Sequence, residues 1–292
     1  MTPLAPHITA FLRERLPLQR GASVHTCDTY AYAFKLFFEY AAERLGIVPS
    51  DLQLEHLDAP MVLDFLNFLE TERGNSPSTR NARLAAIKSF MRFLEYRVPS
   101  ILDQSRCILA IPKKKTDVKL VKHLTLEETK AILNAPDPRT RYGIRDRAML
   151  HLCFSGGLRV SELVSLPLGA VTLHSDPSVK ILGKGRRERI LTLWKETARD
   201  IRAWIAVRGN PPAQELFLNA QEQPMTRSGF EYIIRKHAKA AAGKCPSLSE
   251  KNVSPHVLRH TCAMTVLQAT LDIRKVSLWL GHADIQTTGI YL

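Results

Sequence analysis

The sequence predicts a mainly α-helical protein with one small antiparallel β-meander, an α+β class, arranged as two domains joined by a basic linker. Three observations predict it. Through the first hundred positions apolar residues recur at three-to-four spacing between capping and stop residues. A Pro- and Lys-rich stretch at 111–117 then breaks that periodicity. Short β-like runs between 169 and 193 are the departure from helical patterning in the second part. The 292 residues suffice for one or two domains, each burying a core without staples.

The first domain, 1–110, reads as a four-helix bundle. Asp28 to Leu45 places Ala31, Phe34, Phe38 and Ala41/Ala42 on one face and stops at Gly46. Ala59 to Arg73 repeats the pattern with Val62, Phe65, Leu66 and Leu69 and stops at Gly74. Ser78 caps a third helix carrying Leu84, Ile87, Phe90 and Leu94, with Arg80, Arg83, Lys88 and Arg92 on its other faces. A shorter helix around His7 to Leu16 precedes these. Residues 111–122 form the linker, beginning Ile111-Pro112-Lys113-Lys114-Lys115.

The second domain, 123–292, opens with Thr125-Leu126-Glu127-Glu128, the pattern of a capping box. A long helix over Arg145 to Phe154 ends at Ser155-Gly156-Gly157. Val171 to Leu173, Val179 to Leu182 and Arg189 to Leu193 make the three-stranded meander. Helices resume at Lys195 to Val207, Thr226 to Ala242, His256 to Ala269, Asp272 to Leu280 and from Asp284 onward.

Charge points to a polyanionic partner. The chain carries 41 Lys and Arg against 28 Asp and Glu, a net +13. Residues 1–105 balance to −1, residues 106–122 to +5 and residues 123–292 to +9. An excess of this kind attracts nucleic acid or an anionic membrane surface. Lys113 to Lys115 follow Pro112 and lack an amphipathic helical pattern, which favours a linker lying along a phosphate backbone. No apolar run approaches the roughly 20 residues that span a bilayer. Pro3, Pro6, Arg13, Glu14 and Arg15 interrupt the apolar stretch of a secretory signal, so the expected location is the cytoplasm. The five cysteines, Cys27, Cys107, Cys153, Cys245 and Cys262, have no CxxC pair and read as reduced thiols.

Four segments carry residues suited to chemistry. In His256-Val257-Leu258-Arg259-His260, positions three and four apart share one helix face, so His256, Arg259 and His260 project together. A guanidinium flanked by imidazoles is a donor fork for phosphate or carboxylate. A zinc pair at His256 and His260 is the competing reading, but Arg259 sets a fixed positive charge among those ligands and the glutamate of the zinc-protease motif is missing. A buried structural histidine beside an exposed one is the third. In Gly156-Gly157-Leu158-Arg159-Val160-Ser161-Glu162, the glycines permit a tight turn, leaving Arg159 at a helix start that favours an anion, with Glu162 one turn on to orient it. An ordinary surface ion pair is the alternative. In Gly183-Lys184-Gly185-Arg186-Arg187, Lys184 stands at a hairpin tip, either reaching into a partner or simply solvated. The fourth segment is Leu280-Gly281-His282, with Tyr291 nine residues further on.

Taken in this order, the four segments resemble the tyrosine recombinase (phage integrase) family, with the likeness extending across nearly the whole chain. Its first arginine box looks like Gly157 to Leu163, its β-hairpin lysine like Lys184, its H-x-x-R box like His256 to Arg259, and its Leu-Gly-His motif with a following tyrosine like Leu280 to His282 and Tyr291. The resemblance implies an N-terminal helical core-binding (SAM-like) domain and a C-terminal catalytic domain. It implies that Arg159 and Arg259 clamp the scissile phosphate, that His256 and His282 add hydrogen bonds or proton transfer, that Tyr291 attacks to form a 3′-phosphotyrosine, and that Lys184 protonates the leaving 5′-oxygen. Glu162 falls at the family's acidic supporting position, and His260 supports the same site. No metal or other cofactor is implied. The implied partner is duplex DNA with an inverted-repeat core site, contacted by Arg80, Arg83, Lys88, Arg92, Lys113, Lys114, Lys115, Arg186 and Arg187. Assembly is implied as a homo- or hetero-tetramer, with accessory recombinases or a directionality factor as further partners and a nucleoid location. With no additional domain ahead of the bundle, Xer-like and mobile-element members are the better match. Members of the family continue past the tyrosine with a segment that docks on a neighbour, whereas here only Leu292 follows.

Overall fold

The computed structural model describes residues 2–116, 122–183, 188–281 and 288–289, which fall into two compact units, Met1–Val118 and Lys119–Leu292. In the first unit α1 (Leu4–Ala10) runs on as a π-helical stretch, Phe11–Gln19, with Pro17 inside it. Helix α2 (Val24–Leu45) starts four residues earlier than its apolar pattern, because Ser23 accepts from the Thr26 amide and caps it. Gly46, at φ 68°, closes it. Helix α3 (Ala59–Thr71) is capped by Asp58. Helix α4 (Pro77–Leu94) is capped by Ser76 rather than Ser78, since Pro77 is preset for the first helical position and has no amide to leave unpaired. A further helix, α5 (Leu102–Ala110), was not foreseen. It is short, and Ser105 and Ile108 are its buried residues. Phe11, Phe34, Phe37, Phe65 and Phe90 fill the core of this unit, with Phe11 edge-on to Phe34 at 5.9 Å.

Four of the expected phosphate-facing cations lie on α4, and the structure uses three of them internally. Arg80 is 4% exposed and pairs with Glu70 at 3.3 Å. Arg83 stacks over the Tyr32 ring at 4.9 Å and donates to the Thr29 carbonyl at 3.4 Å. The Lys88 ammonium donates to the carbonyls of Leu109 and Ile111, tying α4 to the end of α5. Burial, reinforced by Arg92 and Lys113, draws the Lys88 pKa down. Arg92 is exposed. The first linker residues are held as well. The Asn81 amide donates to the Lys114 carbonyl at 2.8 Å and its oxygen accepts from the Lys114 amide at 3.0 Å, while Lys114 Nζ reaches Glu70 at 2.7 Å. Lys113 and Lys115 are exposed.

The second unit begins with α6 (Leu126–Leu133), whose Thr125 and Glu128 make the reciprocal capping box the sequence spells out. Glu128 is buried and also accepts from Ser247 Oγ and Lys251 Nζ, each at 2.7 Å. Burial pushes its carboxyl up, but the Lys251, Ser247 and Thr125 hydrogen bonds outweigh that and hold it at about 2. A depressed pKa contributes stability that is complete above the ordinary value of 4.5 and is lost as the pH falls from there toward 2. Glu128→Gln is therefore expected to lower the melting temperature at pH 7 and to flatten its fall between pH 5 and 2, which thermal unfolding across that range checks.

Helix α7 (Arg141–Ser155) runs through the middle of this core, with Ala148, Met149, Leu150, Leu152 and Cys153 fully buried. Asp146 anchors it by accepting from Arg145 Nη2 at 2.7 Å and pairing with His237 Nε2 at 2.9 Å. The short helix α8 (Val160–Val164) follows, and then the meander β1 (Val171–Thr172), β2 (Ser178–Leu182) and β3 (Glu188–Thr192), antiparallel in the order β1-β2-β3. Pairing of Leu182 with Glu188 and of Ile181 with Arg189 sets the register of the hairpin. Then come α9 (Lys195–Arg208), α10 (Arg227–Ala242), α11 (Pro255–Thr270) and α12 (Ile273–Leu280). The helix expected from Asp284 onward lies outside the described residues, apart from 288–289. Among the described residues no helix is long and apolar enough to cross a membrane.

Candidate active site

The site grows from the end of α7. After Ser155 the chain leaves the helix through Gly156 and Gly157, with the Gly157 amide donating to the Phe154 carbonyl at 3.1 Å and the Leu158 amide to the Cys153 carbonyl at 3.2 Å. Gly157 takes φ +54°, and a Cβ there would stand 2.5 Å from Leu280 Cδ2 and 3.1 Å from Cys262 Sγ. Glycine is thus required twice, for the backbone angle and for the close approach of α11 and α12. Gly157→Ala is expected to destabilise this unit by about 2–4 kcal/mol from backbone strain and overpacking together. A fall in melting temperature with loss of strand-cleavage activity checks it.

The turn delivers Arg159 to the N-cap position of α8. Glu162, one turn on, accepts from the Arg159 amide with Oε2 at 3.0 Å and from Arg159 Nη1 with Oε1 at 2.9 Å. Glu162 is buried, and a second arginine reaches it from β3: Arg189 Nη2 donates to Oε2 at 2.8 Å and Nη1 to Oε1 at 3.2 Å. Burial pushes the Glu162 carboxyl up, but Arg189 first and Arg159 second outweigh it and keep the group below its ordinary value. It is an ionised anchor between two cations.

Arg259 arrives from the other side. It lies on α11 one turn past His256 and is 5% exposed. Its Nη1 donates to the carbonyl of Gly157, and Nη2 to the carbonyl of Leu280 at 2.8 Å. Two of its five N–H donors thus clamp the turn that presents Arg159 and the end of α12, fixing the plane of the fork. Trp279 Nε1 adds a bond to the Ser155 carbonyl at 2.9 Å. Arg259, a hundred positions after Arg159, therefore bonds the backbone of the turn that presents Arg159. His256 is exposed at the start of α11, and His260 is half-buried, with burial first and then His256 and Arg259 drawing its pKa down. That favours the neutral imidazole of His260 near neutral pH. Cys153 and Cys262 lie beneath the site, and burial pushes both thiols up to about 12, so neither is a thiolate nucleophile.

Lys184, Arg186, Arg187, His282 and Tyr291 lie outside the described residues. Arg189 is the residue the sequence reading missed at this site. The available signal was strand phase: Arg189 alternates with buried Leu191, while Ile190 between them is 71% exposed. An arginine on the inward face of a strand needs a carboxylate partner.

Residues 122–292 match the phage integrase family and residues 8–97 match the phage integrase N-terminal SAM-like domain. This chain belongs to the phage integrase family. It is a tyrosine-type site-specific DNA recombinase. The recombinase is 39% identical over 289 residues to the putative integrase/recombinase y4rC of Sinorhizobium fredii, covering 99% of this chain and 87% of that one. It is 33% identical over 292 residues to the tyrosine recombinase XerC of Pelobacter propionicus, covering 100% and 91%. Among solved structures it resembles the XerH site-specific recombinase bound to difH substrate, with a TM-score of 0.73 and 24% identity over 96% of this chain and 79% of that one. It also resembles a lambda integrase tetramer bound to a Holliday junction, with a TM-score of 0.67 and 14% identity over 97% and 78%. At these identities the structural likeness is one of fold, two units with a mainly helical catalytic domain and a small sheet.

Proposed function

We propose that this recombinase cuts and rejoins duplex DNA through Tyr291. The tyrosine oxygen attacks a backbone phosphorus in line, the bond to the 5′-oxygen breaks, and a 3′-phosphotyrosine remains with a free 5′-hydroxyl. Arg159 and Arg259 hold the non-bridging oxygens and stabilise the charge that builds on the five-coordinate phosphorus. Lys184 gives a proton to the departing 5′-oxygen. His256 and His282 supply hydrogen bonds or proton transfer at the same phosphate, and Glu162 and His260 support the arginines. A 5′-hydroxyl from the partner duplex then attacks the phosphotyrosine, releasing Tyr291, and two such exchanges pass through a Holliday junction. The covalent link conserves the energy of the phosphodiester, so no step calls for a nucleotide or a metal.

The observation that carries this reading is the bond from Arg259 to the Gly157 carbonyl, which brings the arginine of the H-x-x-R box to the turn presenting Arg159. The XerH and lambda integrase structures are DNA-bound complexes, the latter including a dimer and a tetramer. The partner proposed for this chain is likewise a duplex bearing an inverted-repeat core, engaged by a homo- or hetero-tetramer near the nucleoid, with an accessory recombinase or a directionality factor setting the outcome. The exposed cations Arg92, Lys113 and Lys115 are proposed to face the DNA, joined by Lys114, Arg186 and Arg187. Arg80, Arg83 and Lys88 act by holding the helix that carries Arg92.

Incubation with a nicked duplex carrying the inverted repeats nearest the chain's own gene tests the function. Denaturing electrophoresis is expected to reveal a covalent protein–DNA adduct whose yield is unchanged by a chelator. Binding without an adduct on that duplex would indicate a non-catalytic DNA-binding protein. Relaxation of supercoiled DNA lacking the repeats would indicate a topoisomerase.

A further inference from the structure

Arg189 is turned away from solvent, toward Glu162. It stands on β3, its side chain is 11% exposed, and both Nη atoms are directed at the Glu162 carboxylate as a parallel fork. The same two carboxylate oxygens take the amide and the Nη1 of Arg159. Each arginine makes two bonds to this carboxylate, but both of Arg189's come from its guanidinium as a charged fork, whereas Arg159 gives one from its guanidinium and one from its backbone amide, so Arg189 holds the carboxylate plane more firmly. Its stem also lies against the backbone at Gly281. A Cβ on Gly281 would come 2.9 Å from Arg189 Nη1 and 3.0 Å from its Cδ, and Gly281 has φ +64°. Arg189 therefore touches Glu162 on one side and, on the other, the glycine that directly precedes His282. β2 and β3 are the arms of the hairpin whose tip segment contains Lys184.

We propose that Arg189 is a positioning residue for strand cleavage: it holds Glu162, and through Glu162 the Arg159 guanidinium, in the orientation used at the phosphate. The inference rests on the function proposed above. Released from Arg189, the Glu162 carboxylate turns toward Arg159 alone and draws its fork off the phosphate. A displacement of about 1 Å at a reacting group costs up to about 10² in rate. Lysine keeps the charge at this site but not the parallel pair of bonds.

The test is single-turnover cleavage of the nicked duplex at saturating protein, with equilibrium binding to the same duplex and thermal melting measured alongside. Arg189→Gln is expected to slow adduct formation by about 10–10²-fold while binding stays within about twofold. Arg189→Lys is expected to recover part of that loss and to stay several-fold slow. In a Glu162→Gln background, adding Arg189→Gln is expected to slow cleavage by less than about threefold more, because both changes act through one carboxylate. Wild-type cleavage rates in Arg189→Gln would overturn the proposal, as would full additivity with Glu162→Gln. Where Arg189→Gln does not melt cooperatively, Arg189→Lys carries the test, and a wild-type rate in that variant overturns it. Failure of the unmodified protein to form any adduct counts against the proposed function, whereas an active protein indifferent to Arg189 counts against this inference alone.

Discussion

Arg259→Ala is expected to lower the strand-cleavage rate by about 10²–10³-fold, the loss typical of removing one preorganised donor from a site of developing charge. The same change is expected to lower stability, for a separate reason. Arg259 is nearly fully buried and donates to the carbonyls of Gly157 and Leu280. Deleting it leaves two acceptors without that partner, at about 1–3 kcal/mol each where water cannot reach them. Because the alanine variant mixes the two losses, Arg259→Lys separates them. It retains the charge and one donor toward the carbonyls, so its melting temperature is expected to fall by less than that of Arg259→Ala. Its cleavage rate is nevertheless expected to stay at least about 10²-fold down, since an ammonium cannot present the planar fork. Near-normal cleavage by Arg259→Lys would show that charge alone suffices and that the fork is not used. Single-turnover adduct formation and thermal unfolding on the same preparations read both quantities.

Tyr291→Phe is expected to abolish the covalent adduct altogether. Only the attacking oxygen is removed, so affinity for the nicked duplex is expected to stay within about twofold and the melting temperature to be unchanged. This expectation comes from the motif spacing, Tyr291 standing nine residues after His282. Denaturing electrophoresis after long incubation is the measurement. An adduct that persists in the variant would place the nucleophile elsewhere, and mapping the attached peptide would identify it. The two variants bracket the proposed mechanism: one removes the proposed attacking atom, the other the charge proposed to stabilise its attack.

Much of the local architecture was legible because its causes are local. Thr125 and Glu128 lie within one turn of each other, and their capping box forms as written. Gly46 stops α2 because the left-handed angle that ends a helix is a property of one residue. The meander was legible from short β-like runs broken by turn residues, with strand ends that differ by at most one residue. Where two cues compete, the reading slipped. Ser76, Pro77 and Ser78 stand side by side, and the proline settles the cap in favour of Ser76. Helix α5 escaped because it is short and its polar run Asp103 to Arg106 interrupts the apolar spacing.

At the site the division is sharper. The sequence by itself determined which family this chain belongs to, because motif order and spacing are properties of the chain. It also showed that a tight glycine turn precedes Arg159. Tertiary structure alone decided that Arg259, a hundred residues later, clamps that turn, because contact across such a separation depends on how α7, α11 and α12 pack. Packing likewise turned Arg80 inward to Glu70, where an unpaired buried charge would be costly. It also placed Arg189 rather than Ile190 on the sheltered face of β3. Hydropathy would have chosen the isoleucine, but the Glu162 carboxylate buried opposite required a cation, and only the folded chain brings the two together.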